Sequence, residues 1–159
     1  MSEVKNLEQA KSAFTTLCNA LDGHKLRYQK DEEKLSIQCG IQGDDLPVEI
    51  NMQLDADRML VMALSHMPFK VKEEKRLEMA VAVSAINDML VDGCFDYDVA
   101  SGNMFFRMTN SIIDSVLGAE VFSYMFFCSC HVIDEYNDKF LMLSTGMISL
   151  EQFLEKTAR

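Results

Sequence analysis

Basic residues are scarce in this sequence. Lysine and arginine together number 15 against 25 aspartates and glutamates, which gives a formal net charge of -10 at pH 7. Because that much negative charge repels a phosphate backbone, the composition argues against nucleic-acid binding. The same charge favours solubility and attracts basic partners.

Long apolar runs are also missing. No stretch approaches the ~20 residues that a membrane-spanning helix requires. The first residues, Met-Ser-Glu-Val-Lys-Asn-Leu-Glu, lack the apolar centre of a signal peptide. The cysteines are odd in number and scattered through apolar patterns: Cys18, Cys39, Cys94, Cys128 and Cys130. Such thiols are typical of a reducing compartment, so we expect a cytoplasmic protein that does not enter a membrane.

Motifs for cofactor chemistry are absent as well. The sequence has no glycine-rich loop of the P-loop or dinucleotide-binding kind. The pairs Asp44/Asp45 and Asp55/Asp57 lack the spacing of a calcium loop, and aspartate is common in turns because its side chain bonds the turn backbone. There is no repeat, low-complexity tract or flexible linker. We therefore expect a single domain over residues 1–159 that binds no cofactor.

One cluster of soft ligands, Cys128, Cys130 and His131, suggests a metal site or a Cys–His nucleophile. The segment has a helical pattern, and at about 100° per residue the two thiols point roughly 160° apart. No second Cys or His pair lies nearby, and nothing supplies an orienting third group or an oxyanion hole. The sequence therefore predicts one core thiol and one surface thiol, with no metal ion and no catalysis.

Hydrophobic periodicity predicts three long helices and a short one. Apolar residues recur at three- and four-residue steps from about residue 5 to 21, from Lys72 to Val91 and from about Gly118 to Leu143. The short helix follows Gly146, where Ser149 and Gln152 have the spacing of a capping box.

Alternating apolar and polar residues predict an antiparallel meander between the first two helices. Its strands are Leu26–Lys30, Leu35–Cys39, Val48–Leu54 and Met59–Ser65. Met59–Ser65 is apolar on both faces, which predicts an inner strand covered on both sides. Gly93 to Arg107 predicts a hairpin whose second strand breaks at Thr109–Ser111. The fold class is therefore α+β: a single antiparallel sheet of about five or six strands with helices packed on it, in the order helix, strands, helix, two strands, helix, helix.

The long helix from Gly118 carries the most specific hint of function. On a helical wheel its core face comprises Val121, Phe122, Met125, Cys128, Val132, Ile133 and Tyr136, and its wet face comprises Glu120, Ser123, His131, Asp134 and Asp138. Tyr124 and Phe127 fall on or beside the wet face, where a pair of aromatics is unusual. Either a loop or the last helix covers them, or they form an interface.

The helix from Lys72 offers a smaller candidate. Leu77 and Val81 lie opposite its core residues and could face another layer or another subunit. The twelve methionines stand mostly at core positions, although methionine can also line an adaptable peptide groove. The candidate partner or dimer surface therefore comprises Tyr124, Phe127, His131, Leu77 and Val81.

Several positions form a pattern together with the order of elements. They are Gly93, Phe95, Asp98, Gly102 and Arg107 around the hairpin, Ile133, Asp134 and Tyr136 in the long helix, and Gly146 and Ser149 near the end. This pattern, from about residue 7 to 155, resembles the type III secretion chaperone-like fold and is most similar to its YbjN branch, described as candidate bacterial sensory transduction regulators. Tyr124, Phe127 and the Cys128/Cys130 pair lie outside the pattern.

The resemblance implies a regulatory or chaperone-like protein-binding domain of a bacterial cytoplasm, without catalytic residues. We expect a protein partner, with a homodimer as one form of the interface, and neither nucleic acid nor membrane as a ligand. Three alternatives stay open: a type III secretion-type chaperone that holds a segment of an exported protein, a small-molecule sensor, and a thiol enzyme.

Overall fold

The computed structural model describes residues 2–158, and for Ser2 the backbone alone. Within that range the α-helices are α1 (Ser2–Gly23), α2 (Arg76–Met89), α3 (Ala119–Thr145) and α4 (Leu150–Thr157), and a 3₁₀ turn, Glu73–Lys75, leads into α2. The strands are β1 (Gln29–Asp31), β2 (Ser36–Gln42), β3 (Pro47–Asp55), β4 (Leu60–His66), β5 (Cys94–Asp98) and β6 (Asn103–Ser111).

The strands form one antiparallel sheet in the order β1-β2-β3-β4-β6-β5. The first four make a meander, and the β5–β6 hairpin returns after α2 so that β6 pairs with β4. Burial alternates along β2, β3, β4 and the first part of β6 because successive side chains point to opposite faces. In β3 the buried residues are Val48, Ile50, Met52 and Leu54. One face of the sheet therefore belongs to the core.

The two longest helices pack on that face, since α1 contacts β3 and α3 contacts β3, β4 and β6. Buried phenylalanine rings join the layers. The ring of Phe140 on α3 lies 5.0 Å from that of Phe95 on β5 and 5.3 Å from that of Phe153 on α4. Burying such a side chain contributes about 1.5–3 kcal/mol, so this cluster fastens α3 and α4 to the hairpin.

A side chain of α2 closes the β5 edge of the sheet. The Asn87 Nδ2 amide donates to the Phe95 carbonyl at 2.9 Å, and Asn87 Oδ1 accepts from the Phe95 N–H at 2.8 Å. The amide thus takes the place of a neighbouring strand, which protects that edge from pairing with another chain. At the opposite edge, the outer strand β1 is three residues long.

Three hairpin turns share one design: an aspartate begins the turn, and the residue four positions later has a positive φ. The pairs are Asp31 with Leu35 (φ 49°), Asp55 with Met59 (φ 53°) and Asp98 with Gly102 (φ 77°). Asp55 Oδ1 accepts the N–H groups of the second and third residues after it, at 3.0 and 2.8 Å. Leu35 and Met59 are buried, and this burial offsets the strain of a left-handed side-chain-bearing residue.

The Asp98 turn predicts a pH dependence of stability. Hydrogen bonds from the Ser101 side chain and then the Ala100 N–H lower the pKa of Asp98. A lowered folded-state pKa gives stability that is present above the unfolded pKa of about 3.9 and is lost as pH falls through the folded value. Thermal melts between pH 5 and pH 2 should therefore show a smaller loss for Asp98→Asn than for the wild type. Asp57→Asn, the same change at an exposed turn residue, is the control, and a smaller loss there too would contradict the assignment.

The fold class expected from the sequence is confirmed, with one antiparallel sheet, helices packed on it and the expected order of elements. The capping box is confirmed as well. Ser149 Oγ accepts the Gln152 N–H at 3.2 Å, and Gln152 Oε1 accepts the Ser149 N–H at 2.9 Å. The second helix is shorter than expected: α2 ends at Met89, because Leu90 already has an extended backbone.

The expected break at Thr109–Ser111 is wrong. Thr109 pairs with Met62 and Asn110 with Val61, so β6 continues to Ser111 beside β4. Pairing with the inner strand β4 satisfies the backbone N–H and C=O groups of these residues. The pairing therefore keeps the segment in a strand, although its polar side chains alone would not favour one.

The expectation for Met59–Ser65 is half correct. β4 is an inner strand, between β3 and β6. Val61 and Ala63 are buried, but Met62 and Leu64, on the second face, are only half-buried. Their neighbours on that face supply the partial cover, since Met62 pairs with Gln53 and Leu64 with Arg107 across the strands.

Candidate protein-binding surface

The N-terminal half of α3 presents two aromatic side chains to solvent. Tyr124 is 52% exposed and Phe127 is 42% exposed. Cover of Phe127 is partial: the His24 ring lies edge-on to it with centroids 4.9 Å apart, and His24 Nε2 lies 3.1 Å from Ser123 Oγ. The connection between α1 and β1 thus holds one side of Phe127 and leaves much of the ring accessible.

The buried face of α3 is rotated about the helix axis relative to the core face that the helical wheel predicted. Cys130, not Cys128, is the buried thiol, because it shares its face with Phe126 four residues before it and Ile133 three residues after it. Cys128 is half-buried and packs against the core, so the surface thiol expected from the sequence is not observed. Ser123, assigned to the wet face, is buried, and the contact with His24 keeps its hydroxyl paired.

Tyr124 is tied to the segment that follows α2. Its hydroxyl donates to Asp92 Oδ2 at 2.5 Å. Hydrogen bonding to Asp92, and then to Cys128, raises the pKa of Tyr124 above its ordinary value. The phenol, which is protonated at neutral pH like any ordinary tyrosine, keeps Asp92 beside α3 through this hydrogen bond.

This contact frames a groove of about 270 Å³ between α3 and the residues after α2, named here the α2–α3 groove. Its lining comprises Met89, Leu90, Val91 and Asp92 on one side and Tyr124, Cys128, His131, Val132, Glu135 and Tyr136 on the other. Val91 at the rim is 92% exposed. Two residues of the predicted surface, Tyr124 and His131, line this groove, and Phe127 follows Tyr124 by one helical turn.

Leu77 and Val81 form a separate exposed patch. They are 78% and 50% exposed and lie opposite the buried side of α2, as expected. Both occupy the first turns of α2, whereas Asp92 meets Tyr124 beyond its last residue. The structure therefore places the five predicted residues in two sets, Tyr124, Phe127 and His131 on α3 and Leu77 and Val81 in the first turns of α2, and does not bring them into one surface.

A second groove was not foreseen from the sequence. It has a volume of about 390 Å³ and lies between α1 and the outer strand β1. Phe14 and Leu35 give it apolar walls, and Lys30 and Glu32 stand among its lining residues with a 2.7 Å ion pair. Its sequence signal is a short strand before a charged turn, which is typical of many sheet edges.

Burial suppresses the reactivity of four of the five thiols. It raises the pKa of Cys18, Cys39 and Cys94 and raises the pKa of Cys130 to about 12. Because the thiolate is the reactive form, these groups are poor nucleophiles at neutral pH.

Two further properties concern the part of the chain that the structure describes. Within residues 2–158, no group of three His, Cys, Asp or Glu side chains is placed to hold a metal ion. None of the helices described has the length and apolarity that crossing a bilayer requires.

The hairpin residues of the sequence pattern have structural roles. Arg107 donates to both oxygens of Asp96, from Nε at 2.6 Å and from Nη2 at 3.2 Å, and so bridges β6 to β5. Gly93 and Gly102 have φ values of 75° and 77°, which side-chain-bearing residues rarely adopt. Arg107, Gly93 and Gly102 therefore maintain the geometry of the β5–β6 hairpin.

No family model matches this sequence, and no curated protein matches it. Among solved structures, the crystal structure of YbjN from E. coli, described as a candidate transcription regulator, matches with a TM-score of 0.55 at 16% sequence identity, covering 79% of this chain and 91% of that one. A chain of the HopA1–SchA chaperone–effector complex matches with a TM-score of 0.48 at 12% identity, covering 78% of this chain and 92% of that one. The chain therefore has the fold of YbjN, as the sequence resemblance implied.

Proposed function

We propose that this chain is a single, non-enzymatic protein-binding domain of the regulatory or chaperone type, acting in a bacterial cytoplasm. The observation that carries the proposal is the exposed pair Tyr124 and Phe127 beside the α2–α3 groove. Leaving a large aromatic side chain in water forfeits part of the roughly 1.5–3 kcal/mol that its burial supplies. Aromatic residues are enriched in the cores of protein interfaces, where a partner restores that burial.

The fixed position of Phe127 supports a role as an interface anchor. Its ring is held by edge contacts with His24 and Phe126, at centroid distances of 4.9 and 5.3 Å. An anchor that is already ordered loses less side-chain freedom when a partner binds. Tyr124 is ordered by the hydrogen bond from its hydroxyl to Asp92.

Charge and thiol chemistry favour protein binding over the other classes. The likeness in fold to YbjN, described as a candidate transcription regulator, suggests regulation. A net charge of -10 makes direct contact with DNA unfavourable, so regulation would act through a protein. The raised pKa values of Cys18, Cys39, Cys94 and Cys130 weigh against a thiol enzyme built on any of those four residues.

One observation favours the secretion-chaperone alternative. The groove between α1 and β1 lies beside an outer strand whose free edge could pair with an extended segment. Strand addition of this kind takes affinity from main-chain hydrogen bonds and specificity from side chains seated in neighbouring pockets. Binding there would not involve Phe127, so the two surfaces can be separated by mutation.

Phe127→Glu tests the proposal. We expect this variant to lose the assembly that the wild type forms, either a homodimer or a complex with its partner, because it removes the apolar ring and desolvates a carboxylate in the centre of the interface. Light scattering and a pull-down from the native lysate measure the assembly, and a thermal melt measures the fold. Leu77→Glu tests the second exposed patch in the same assays.

Val116→Glu is the matched control, since it places the same charge on a valine that is exposed in the connection between β6 and α3. Loss of assembly in Phe127→Glu but not in Val116→Glu supports the proposal. A lowered melting temperature with assembly unchanged would instead assign Phe127 to the fold of the monomer and contradict it.

A further inference from the structure

We infer that the α2–α3 groove receives a basic amphipathic segment of the partner protein, with lysine or arginine residues of that segment facing Asp92 at one end of the groove and Glu135 at the other. The inference rests on the proposed function and names the chemistry of its partner.

The charge of the groove is the first argument. Asp92 bonds Tyr124 at one end of the α3 wall, Glu135 stands at the other end, and the described lining residues include no lysine or arginine. The nearest lysine along α3 is Lys139, whose Nζ lies 3.5 Å from Asp138 Oδ1 and donates to the Glu135 carbonyl. That ammonium also lies 5.9 Å from the centre of the Tyr136 ring, at the edge of the groove, but within the described residues no lysine or arginine forms an ion pair with the Asp92 or Glu135 carboxylate. A cation from a partner fits these two carboxylates.

The apolar part of the lining is the second argument. Val91 stands almost fully exposed at the rim, and Leu90, Val132 and Tyr136 lie within the groove. An aliphatic stem of lysine or arginine can pack on such groups while its charged head reaches a carboxylate. Neighbouring apolar residues of the same segment would cover Val91 and the ring of Tyr124.

The length of the groove sets the size of the segment. From Tyr124 to Glu135 the wall of α3 spans about 16 Å, at 1.5 Å per residue. That distance corresponds to three turns of a helix or about five extended residues. Anchors at three- or four-residue spacing on a docked helix would meet both the carboxylates and the apolar rim.

Peptide binding tests the inference. The probe is a fluorescently labelled amphipathic peptide of leucine and lysine, about five helical turns long, and its counterpart has glutamate in place of lysine. Fluorescence anisotropy should show binding of the lysine peptide alone, weakened as salt screens the charges. Glu135→Lys should weaken it about tenfold, which corresponds to 1.4 kcal/mol, and Val91→Asn should weaken it to a lesser degree.

Glu33→Lys is the matched control, because it makes the same charge reversal on an exposed residue of the turn between β1 and β2. If Glu33→Lys weakens binding of the lysine peptide as much as Glu135→Lys does, the binding is non-specific electrostatic attraction and the inference is overturned. The inference is also overturned if the glutamate peptide binds equally well or if the lysine peptide does not bind. It is overturned as well if the protein self-associates and Glu135→Lys abolishes that self-association. If the lysine peptide fails while Phe127→Glu still releases the natural assembly, the groove assignment fails and the proposed function stands.

Discussion

Replacing Gly93 by alanine is expected to lower the free energy of unfolding by about 2–5 kcal/mol. Gly93 has a φ of 75°, and a Cβ placed there would lie 2.3 Å from Phe106 Cζ and 3.1 Å from the Arg107 carbonyl oxygen. The left-handed conformation costs a residue with a side chain about 1–2 kcal/mol. Overpacking adds about 1–3 kcal/mol, because Phe106 is fully buried and its ring rests edge-on against Phe95.

Alanine substitutions at two other glycines separate the backbone strain from the overpacking. Gly146 has a φ of 77°, but its nearest neighbour to an added Cβ is Lys75 Cε at 3.7 Å, so Gly146→Ala carries the backbone strain without the clash. Gly40, in β2, has nothing within 4 Å of an added Cβ, so Gly40→Ala carries neither. Urea unfolding should rank the losses Gly93 above Gly146 above Gly40. If Gly93→Ala and Gly146→Ala lower the free energy of unfolding equally, the Phe106 ring moves away from the added methyl group without an energetic cost.

The fold was largely predictable because its sequence signals are local. The capping box at Ser149 and the periodicity of α1, α2 and α3 each depend on residues within a few positions of one another. The end of β6 was missed because Thr109 and Asn110 are held by pairing with β4, more than forty positions earlier in the chain. No local pattern reports such a partner.

The candidate surface was predictable only in part, for the same reason. The helical wheel placed Tyr124 and Phe127 outside the core correctly, because the side of a helix on which a residue lies depends on the sequence of α3 alone. Asp92 and Val91 were missed, because the α2–α3 groove exists only where a residue 32 positions away bonds Tyr124. The wheel also misplaced Ser123, whose burial depends on His24 from another segment.

Replacing Asn137 by leucine is expected to raise the free energy of unfolding by about 1–3 kcal/mol. Asn137 lies in α3 with 0% of its surface exposed, and neither its Nδ2 nor its Oδ1 has a hydrogen-bond partner within the described residues. A buried polar group without a partner costs about 1–3 kcal/mol in mutational data. Leucine has the same branching at Cγ with two methyl groups in place of the polar atoms, and it also favours the helix.

The control for helix preference is Asn19→Leu, which makes the same change at an exposed position of α1. It should alter the free energy of unfolding by no more than about 0.7 kcal/mol, the range of intrinsic propensities. A gain in Asn137→Leu well above that of Asn19→Leu therefore measures the burial of the unpaired amide. If Asn137→Leu lowers stability instead, the amide is paired in solution, since a buried water makes about three hydrogen bonds to such groups and is costly to remove. Urea unfolding of both variants distinguishes the two results, because an unchanged slope shows that stability alone has changed.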